Sequence, residues 1–179
     1  MKNLSREYAL ALFELSHEEN KEDAVLNEIR NLNQIFNSYP EYLKILSSYA
    51  VSKPEKIKLL DAVFKFRIDT YLLNFLKVVV QNHHVDILKK CFSQFEKIYN
   101  KKHNILKVTA QTSILMTAQQ MKDLTLKLES HTHKKVFLKN TVDSSLMGGI
   151  KIFYDEKFLD LSLENYFKEL SDNIESVKK

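Results

Sequence analysis

Residues 100–111 read NKKHNILKVTAQ, and the period of the chain changes across them. Asn100, Lys101, Lys102, His103 and Asn104 form a polar joint. After it Leu106, Val108 and Ala110 alternate with Lys107, Thr109 and Gln111. A period of two places successive side chains on opposite faces of a strand. Before the joint, from Leu4 to Tyr99, apolar residues recur every three or four positions, which is the period of a helix. The joint therefore divides the chain into a helical part, 1–104, and a mixed part, 105–179.

Upstream, six helices are expected. Leu4, Tyr8, Ala11, Leu12 and Leu15 make the first apolar stripe. Val25, Leu26, Ile29, Leu32, Ile35 and Phe36 make a second, stopped at Tyr39-Pro40. Tyr42, Leu43, Ile45 and Leu46 give a short third. Ser52-Lys53-Pro54-Glu55 opens a fourth, because serine with glutamate three residues on forms a capping box and proline fits the first turn. Asp69 can cap a fifth, through Leu72, Leu73, Phe75, Leu76, Val79 and Val80. Val85, Leu88, Cys91, Phe92, Phe95 and Tyr99 mark the sixth. Short helices with short connections predict an antiparallel bundle.

Downstream of Gln111, Thr117 to Gln120 is another capping box, leading a helix with Met121, Leu124 and Leu128 on one face. Val136, Leu138 and Val142 suggest a strand. Residues 149–154 and 157–160 suggest a hairpin around Asp155-Glu156, and Ser162 caps a last helix. The expected fold is mostly α: an N-terminal antiparallel six-helix bundle, then a small α+β domain.

Composition narrows the function classes. The chain has 179 residues, 44% hydrophobic and 28% charged, enough for one domain or two small ones with real cores. The net charge of +4 is spread out, and only Arg6, Arg30 and Arg67 are arginines. A nucleic-acid binder usually concentrates such charge on one face, so a basic nucleic-acid-binding module is the alternative reading and not the leading one. Cys91 is the single cysteine and cannot form an intramolecular disulfide. The N-terminal apolar stretch is broken by Glu14, which makes a poor signal peptide, and no run reaches the length of a membrane span.

Motifs for chemistry are missing. Gly148-Gly149, the two glycines of the chain, lack the further glycines, lysine and hydroxyl of a phosphate loop. They are expected to shape a turn that Asp143 begins, with Ser144 to Met147 as one helical turn. His83-His84 and His131-Thr132-His133 lack the converging ligands of a metal site. Cys91 lies on an apolar stripe and is expected to be a buried hydrophobe. No catalytic residue, cofactor or metal is expected.

The first and fifth helices carry more apolar surface than one core face needs. Ala9, Leu10 and Phe13 add to the first, and Val78 to the fifth. Either both helices are central, or they leave a groove for an amphipathic helix of a partner. Each large side chain buried in such a groove contributes ~2 kcal/mol.

Several segments in order resemble one family: Tyr8 to Leu15 (YALALFEL), Val51 to Lys56 (VSKPEK), Leu59 to Phe64, Asn74-Phe75-Leu76 with Gln81-Asn82, Val142 to Ile150 (VDSSLMGGI), and Asp155 to Ser162. The chain resembles, over its whole length, the delta subunit of the bacterial F-type ATP synthase and its mitochondrial equivalent, the oligomycin-sensitivity-conferring protein. It departs from the family's habit at Ser144, where proline is common, at His83-His84, and at Glu156 and Leu161, where glycines are common. These changes alter turns and remove no binding group.

The resemblance implies a non-catalytic stator subunit, one copy per complex, at the cytoplasmic face of the bacterial inner membrane and on the membrane only through the complex. Residues 1–104 would hold the N-terminal helix of an alpha subunit of the catalytic hexamer between the first and fifth helices, at Tyr8, Ala11, Phe75 and Val78. Residues 105–179 would bind the C-terminal ends of the b subunits, with Tyr166, Phe167 and Leu170 the choice there. Asp143, Gly148 and Gly149 would be structural.

Overall fold

The computed structural model describes residues 2–155 and 157–177, with side chains described for 4–155 and 157–171. Glu156 of the expected hairpin tip lies outside the described residues. Among the described residues the chain is mostly helical, with eight α-helices and one four-stranded sheet. Six helices come first: α1 (Lys2–Glu18), α2 (Glu22–Ser38), α3 (Pro40–Ser47), α4 (Lys53–Phe64), α5 (Thr70–Gln81) and α6 (Leu88–Lys102). Then follow β1 (Ile105–Thr112), α7 (Ala118–Thr132), β2 (Lys135–Val142), β3 (Gly149–Tyr154), β4 (Lys157–Ser162) and α8 (Leu163–Val177).

The chain forms two compact units, Met1–Tyr99 and Asn100–Lys179. The expected boundary at 104 falls five residues later than this division. The joint is only partly a joint, since α6 runs through Asn100 to Lys102 and ends at a turn whose Asn104 has positive φ. Lysine and asparagine are tolerated in a last helical turn, where cations complement the helix dipole.

In the first unit the sequence caps act as read. The Glu55 carboxylate accepts from the Ser52 N–H at 3.0 Å and from its hydroxyl at 2.7 Å. The Asp69 carboxylate accepts from the Tyr71 N–H at 2.8 Å. The core gathers Leu12 and Phe13 from α1, Ile29, Leu32 and Phe36 from α2, Leu60 and Phe64 from α4, Leu72, Leu76 and Val79 from α5, and Phe92 and Phe95 from α6. Phe36 anchors it, stacked on Phe92 and edge-on to Phe64. The sixth helix differs from expectation at its start. Val85–Ile87 form a 3-10 turn, and α geometry begins at Leu88. Cys91 is buried, and burial pushes its thiol up to about 11, so it behaves as a small apolar residue.

In the second unit the sheet order is β2-β1-β3-β4. β1 and β2 are parallel, joined by α7 as the crossover; β3 is antiparallel to both β1 and β4. Thr117 and Gln120 form the full capping box of α7, at 3.2 and 2.8 Å. Leu124 and Leu128 of α7 pack against Leu106, Val108, Val136 and Ile152, which is the alternation read from the sequence. The glycine stretch is corrected in one respect. Residues 144–147 make no helical turn: a single turn closes with the Leu146 N–H donating to the Asp143 carbonyl at 3.1 Å.

Candidate functional site

α1 decides the site because it carries two apolar faces. Ser5, Ala9, Leu12, Phe13 and Ser16 are buried and recur at helical spacing, so they form its core face. Leu4, Tyr8, Ala11 and Leu15 recur at the same spacing about a third of a turn away. Leu4 and Tyr8 are half-buried, Ala11 is exposed, and Leu15 is 48% exposed. The expected single stripe of Leu4, Tyr8, Ala11, Leu12 and Leu15 is therefore corrected in part. Of that set Leu12 is buried, Leu4 and Tyr8 are half-buried against the core, and Ala11 and Leu15 face solvent, so the last four form an outer stripe that is open on one side. The small buried serines, invisible to a hydrophobic count, mark the true inner face.

α1 packs against α5. The Tyr8 ring meets Phe75 edge-on, with centroids 6.1 Å apart and planes at 85°. Its hydroxyl lies 3.0 Å from His84 Nδ1 and accepts from Asn82 Nδ2 at 2.9 Å. Near the other end, Lys21 Nζ donates to the Asp69 carboxylate at 3.1 Å and sits 5.4 Å over the Tyr71 ring. The start of α1 thus lies by the end of α5 and the reverse, so the two run antiparallel. Phe75 is buried, and Val78 is 43% exposed. Of the four residues read from sequence, Tyr8 and Phe75 are in direct contact, and Ala11 and Val78 are solvent-facing positions on their helices. Leu4, Leu15 and Tyr71 extend the same apolar margin and were missed. Their signal was present, since Leu4 and Leu15 share the spacing of Tyr8 and Ala11.

His84 has a structural task in holding Tyr8. His83 is exposed, with φ +59, and stacks on Tyr49 at 5.1 Å. Desolvation pulls its pKa down, aided by Lys53 and Lys56. Among the described residues no three His, Cys, Asp or Glu side chains are grouped to hold a metal ion, and no helix is long and apolar enough to cross a membrane.

In the second unit, Tyr166, Phe167 and Leu170 stand on one side of α8, 58%, 59% and 41% exposed. Leu159, Leu161 and Leu163 are also exposed nearby in the chain. A cleft of about 380 Å³ is lined by Asp160, Leu161, Leu163, Asn165, Tyr166 and Glu169 among others. The exposed leucines of β4 follow from its place at the sheet edge, a position that sequence alone does not give.

The turn residues behave as shape. The Asp143 carboxylate accepts from the Ser145 N–H at 3.0 Å and its hydroxyl at 2.6 Å, and these bonds hold its pKa below the usual carboxylate range. Gly149 has φ +82, and a Cβ there would lie 2.4 Å from the Leu161 carbonyl oxygen. A Cβ on Gly148 would meet the end of the Leu163 side chain at 2.8 Å. The glycines let β3 leave the turn directly under the β4–α8 junction.

Comparison with known proteins agrees with this architecture. The family described as ATP synthase delta (OSCP) subunit matches residues 4–174. The chain is 29% identical over 167 residues to an ATP synthase subunit delta of Clostridium botulinum (strain Loch Maree / Type A3), covering 93% of each. It is 27% identical over 175 residues to the ATP synthase subunit delta of Clostridioides difficile (strain 630), covering 97% of each. Its fold is similar to that of a chain in the cryo-EM structure of the Toxoplasma gondii mitochondrial ATP synthase hexamer, with a TM-score of 0.75, 19% identity, and coverage of 96% and 97%. A match spanning both units, from α1 into α8, places the chain in the ATP synthase delta (OSCP) subunit family.

Proposed function

We propose that this subunit works by two apolar grips, one in each unit. As a member of its family the chain is a non-catalytic peripheral-stalk subunit of an F-type ATP synthase. Rotation of a central shaft puts torque on the catalytic hexamer, and a stator must stop the hexamer from turning with it. Tethering needs binding surfaces and no reacting group.

The six helices of residues 1–104 are read as an antiparallel bundle that binds the hexamer. Its grip is the α1–α5 margin, where Tyr8, Ala11, Phe75 and Val78 receive the N-terminal helix of an alpha subunit. The observation that carries this is the exposed part of the outer stripe of α1, Ala11 and Leu15, on the helix whose Tyr8 packs on Phe75, with Val78 exposed on α5. A helix seated there buries Leu15 and Val78, each contributing ~1–2 kcal/mol. Residues 105–179 bind the C-terminal ends of the b subunits, with the exposed face of Tyr166, Phe167 and Leu170 as the second grip. Two linked contacts raise the effective concentration of each other, so neither needs extreme affinity. The subunit then sits, one copy per complex, at the cytoplasmic face of the inner membrane, joined to it only through the complex.

The test is calorimetric titration of the full chain with a synthetic peptide of the alpha subunit's N-terminal helix. Saturable one-site binding is expected, lost in Val78→Asp with the fold intact by circular dichroism. Undiminished binding by the variant would move the grip away from α5.

A further inference from the structure

Glu7, Ala11, Glu14 and Glu18 fall at i, i+4, i+7 and i+11 of α1, one ridge of the helix. This ridge borders the outer apolar stripe of Leu4, Tyr8 and Leu15 on the side away from the core. All four ridge residues are exposed. None of the three carboxylates makes a hydrogen bond or ion pair with the described residues. Several other acids of the first unit do, as in Lys21–Asp69, Arg30–Glu96 and Lys77–Asp61. The α5 margin is different in kind. Its exposed positions beside Phe75 and Val78 are Asn74 and Gln81, both uncharged, and the partly exposed Lys77 between them is paired with Asp61 at 2.6 Å. The open margin therefore has one acidic wall and one neutral wall, in a chain of net charge +4.

We propose that the segment seated between α1 and α5 is an amphipathic helix with lysines or arginines along the edge that meets α1 and an uncharged edge toward α5. This rests on the grip proposed above. Three carboxylates along ~16 Å of helix repel one another and any acidic neighbour. A cationic edge relieves that repulsion and attracts the partner on approach. The asymmetry also fixes direction. Reversing a helix in a groove, with its apolar stripe still facing down, exchanges its two edges. A charge on one edge only thus selects one of the two ways of lying between α1 and α5.

The experiment titrates the full chain with the alpha-subunit N-terminal peptide at low and high salt. The triple variant Glu7→Gln, Glu14→Gln, Glu18→Gln is compared with the parent, and Val78→Asp serves as the groove control. Thermal melting checks that each variant is folded. The triple variant is expected to bind about tenfold more weakly at low salt, with the difference closing near ~0.5 M salt. A peptide whose edge lysines and arginines are replaced by glutamine should lose the same factor, and the two losses should not add. Unchanged affinity and salt slope in the triple variant, with binding still lost in Val78→Asp, would overturn the cationic edge and leave the groove standing. Binding unchanged in Val78→Asp as well would remove the groove and this proposal with it.

Discussion

Gly149 is the position where a single Cβ matters most. Its φ of +82 lies where side chains are strained, and the atom it would strike is a backbone oxygen that cannot swing aside. Gly149→Ala is expected to cost about 2–3 kcal/mol, read as a lowered urea midpoint with an unchanged slope. Gly148→Ala should cost less, because its Cβ meets the flexible end of Leu163, although its φ of +157 also strains a side chain there. Equal costs would mean that strand separation and not local strain sets the penalty. This turn was legible in the sequence because glycine is so scarce that two together mark a backbone need. The inner face of α1 was not legible. Two apolar stripes a third of a turn apart look like one broad stripe, and only the burial of Ser5 and Ser16 separates them.

At the level of elements, two tyrosines tie helices together and give the first unit an alkaline limit. Tyr42 of α3 stacks on Phe36 of α2, meets Phe64 of α4 edge-on, and donates to the Leu59 carbonyl at 3.2 Å. Burial raises its pKa to about 12. Tyr99 of α6 donates a short hydrogen bond to the Asp23 carboxylate of α2. That bond, with burial behind it, raises its pKa to about 12 as well. Both folded values lie above the ordinary value of about 10. The folded state holds these protons more tightly than the unfolded chain does. Their contribution is therefore complete below pH ~10 and is lost as pH rises toward ~12. The midpoint of urea unfolding should fall across that window, and more shallowly in Tyr42→Phe with Tyr99→Phe. An identical fall in the double variant would assign the alkaline limit to the lysines. The helices themselves were legible through their caps, Ser52 with Glu55, Asp69, and Thr117 with Gln120, because capping is local chemistry. The 3-10 start before α6 and the edge position of β4 were not, since both depend on packing between distant segments.

For the whole molecule, the change of period after residue 104 lies five residues beyond the division between the two compact units, Met1–Tyr99 and Asn100–Lys179. A polar run at a helix end reads as a linker when it is the last turn of α6. The two apolar clusters share no residue: one draws on Ala9 to Tyr99, with Leu4 and Tyr8 beside it, and the other on Leu106 to Tyr154. Leu4, Tyr8, Tyr71 and Phe75 of the α1–α5 margin lie in the first set, and Ala11, Leu15 and Val78 stand exposed on the same two helices. A fragment of residues 1–104 should therefore fold by itself, show the circular dichroism of a helical protein with one cooperative melting transition, and bind the alpha-subunit peptide with the affinity of the full chain. A fragment of residues 1–99 lacks Asn100, Lys101 and Lys102, hence the last turn of α6 and its two cations at the negative end of the helix. It should melt several degrees lower while binding the peptide equally well, because that turn supports the helix and is remote in sequence from the grip. If residues 1–104 prove unfolded, or fold without binding, the first unit depends on the second, and the two grips would have to be treated as one cooperative body.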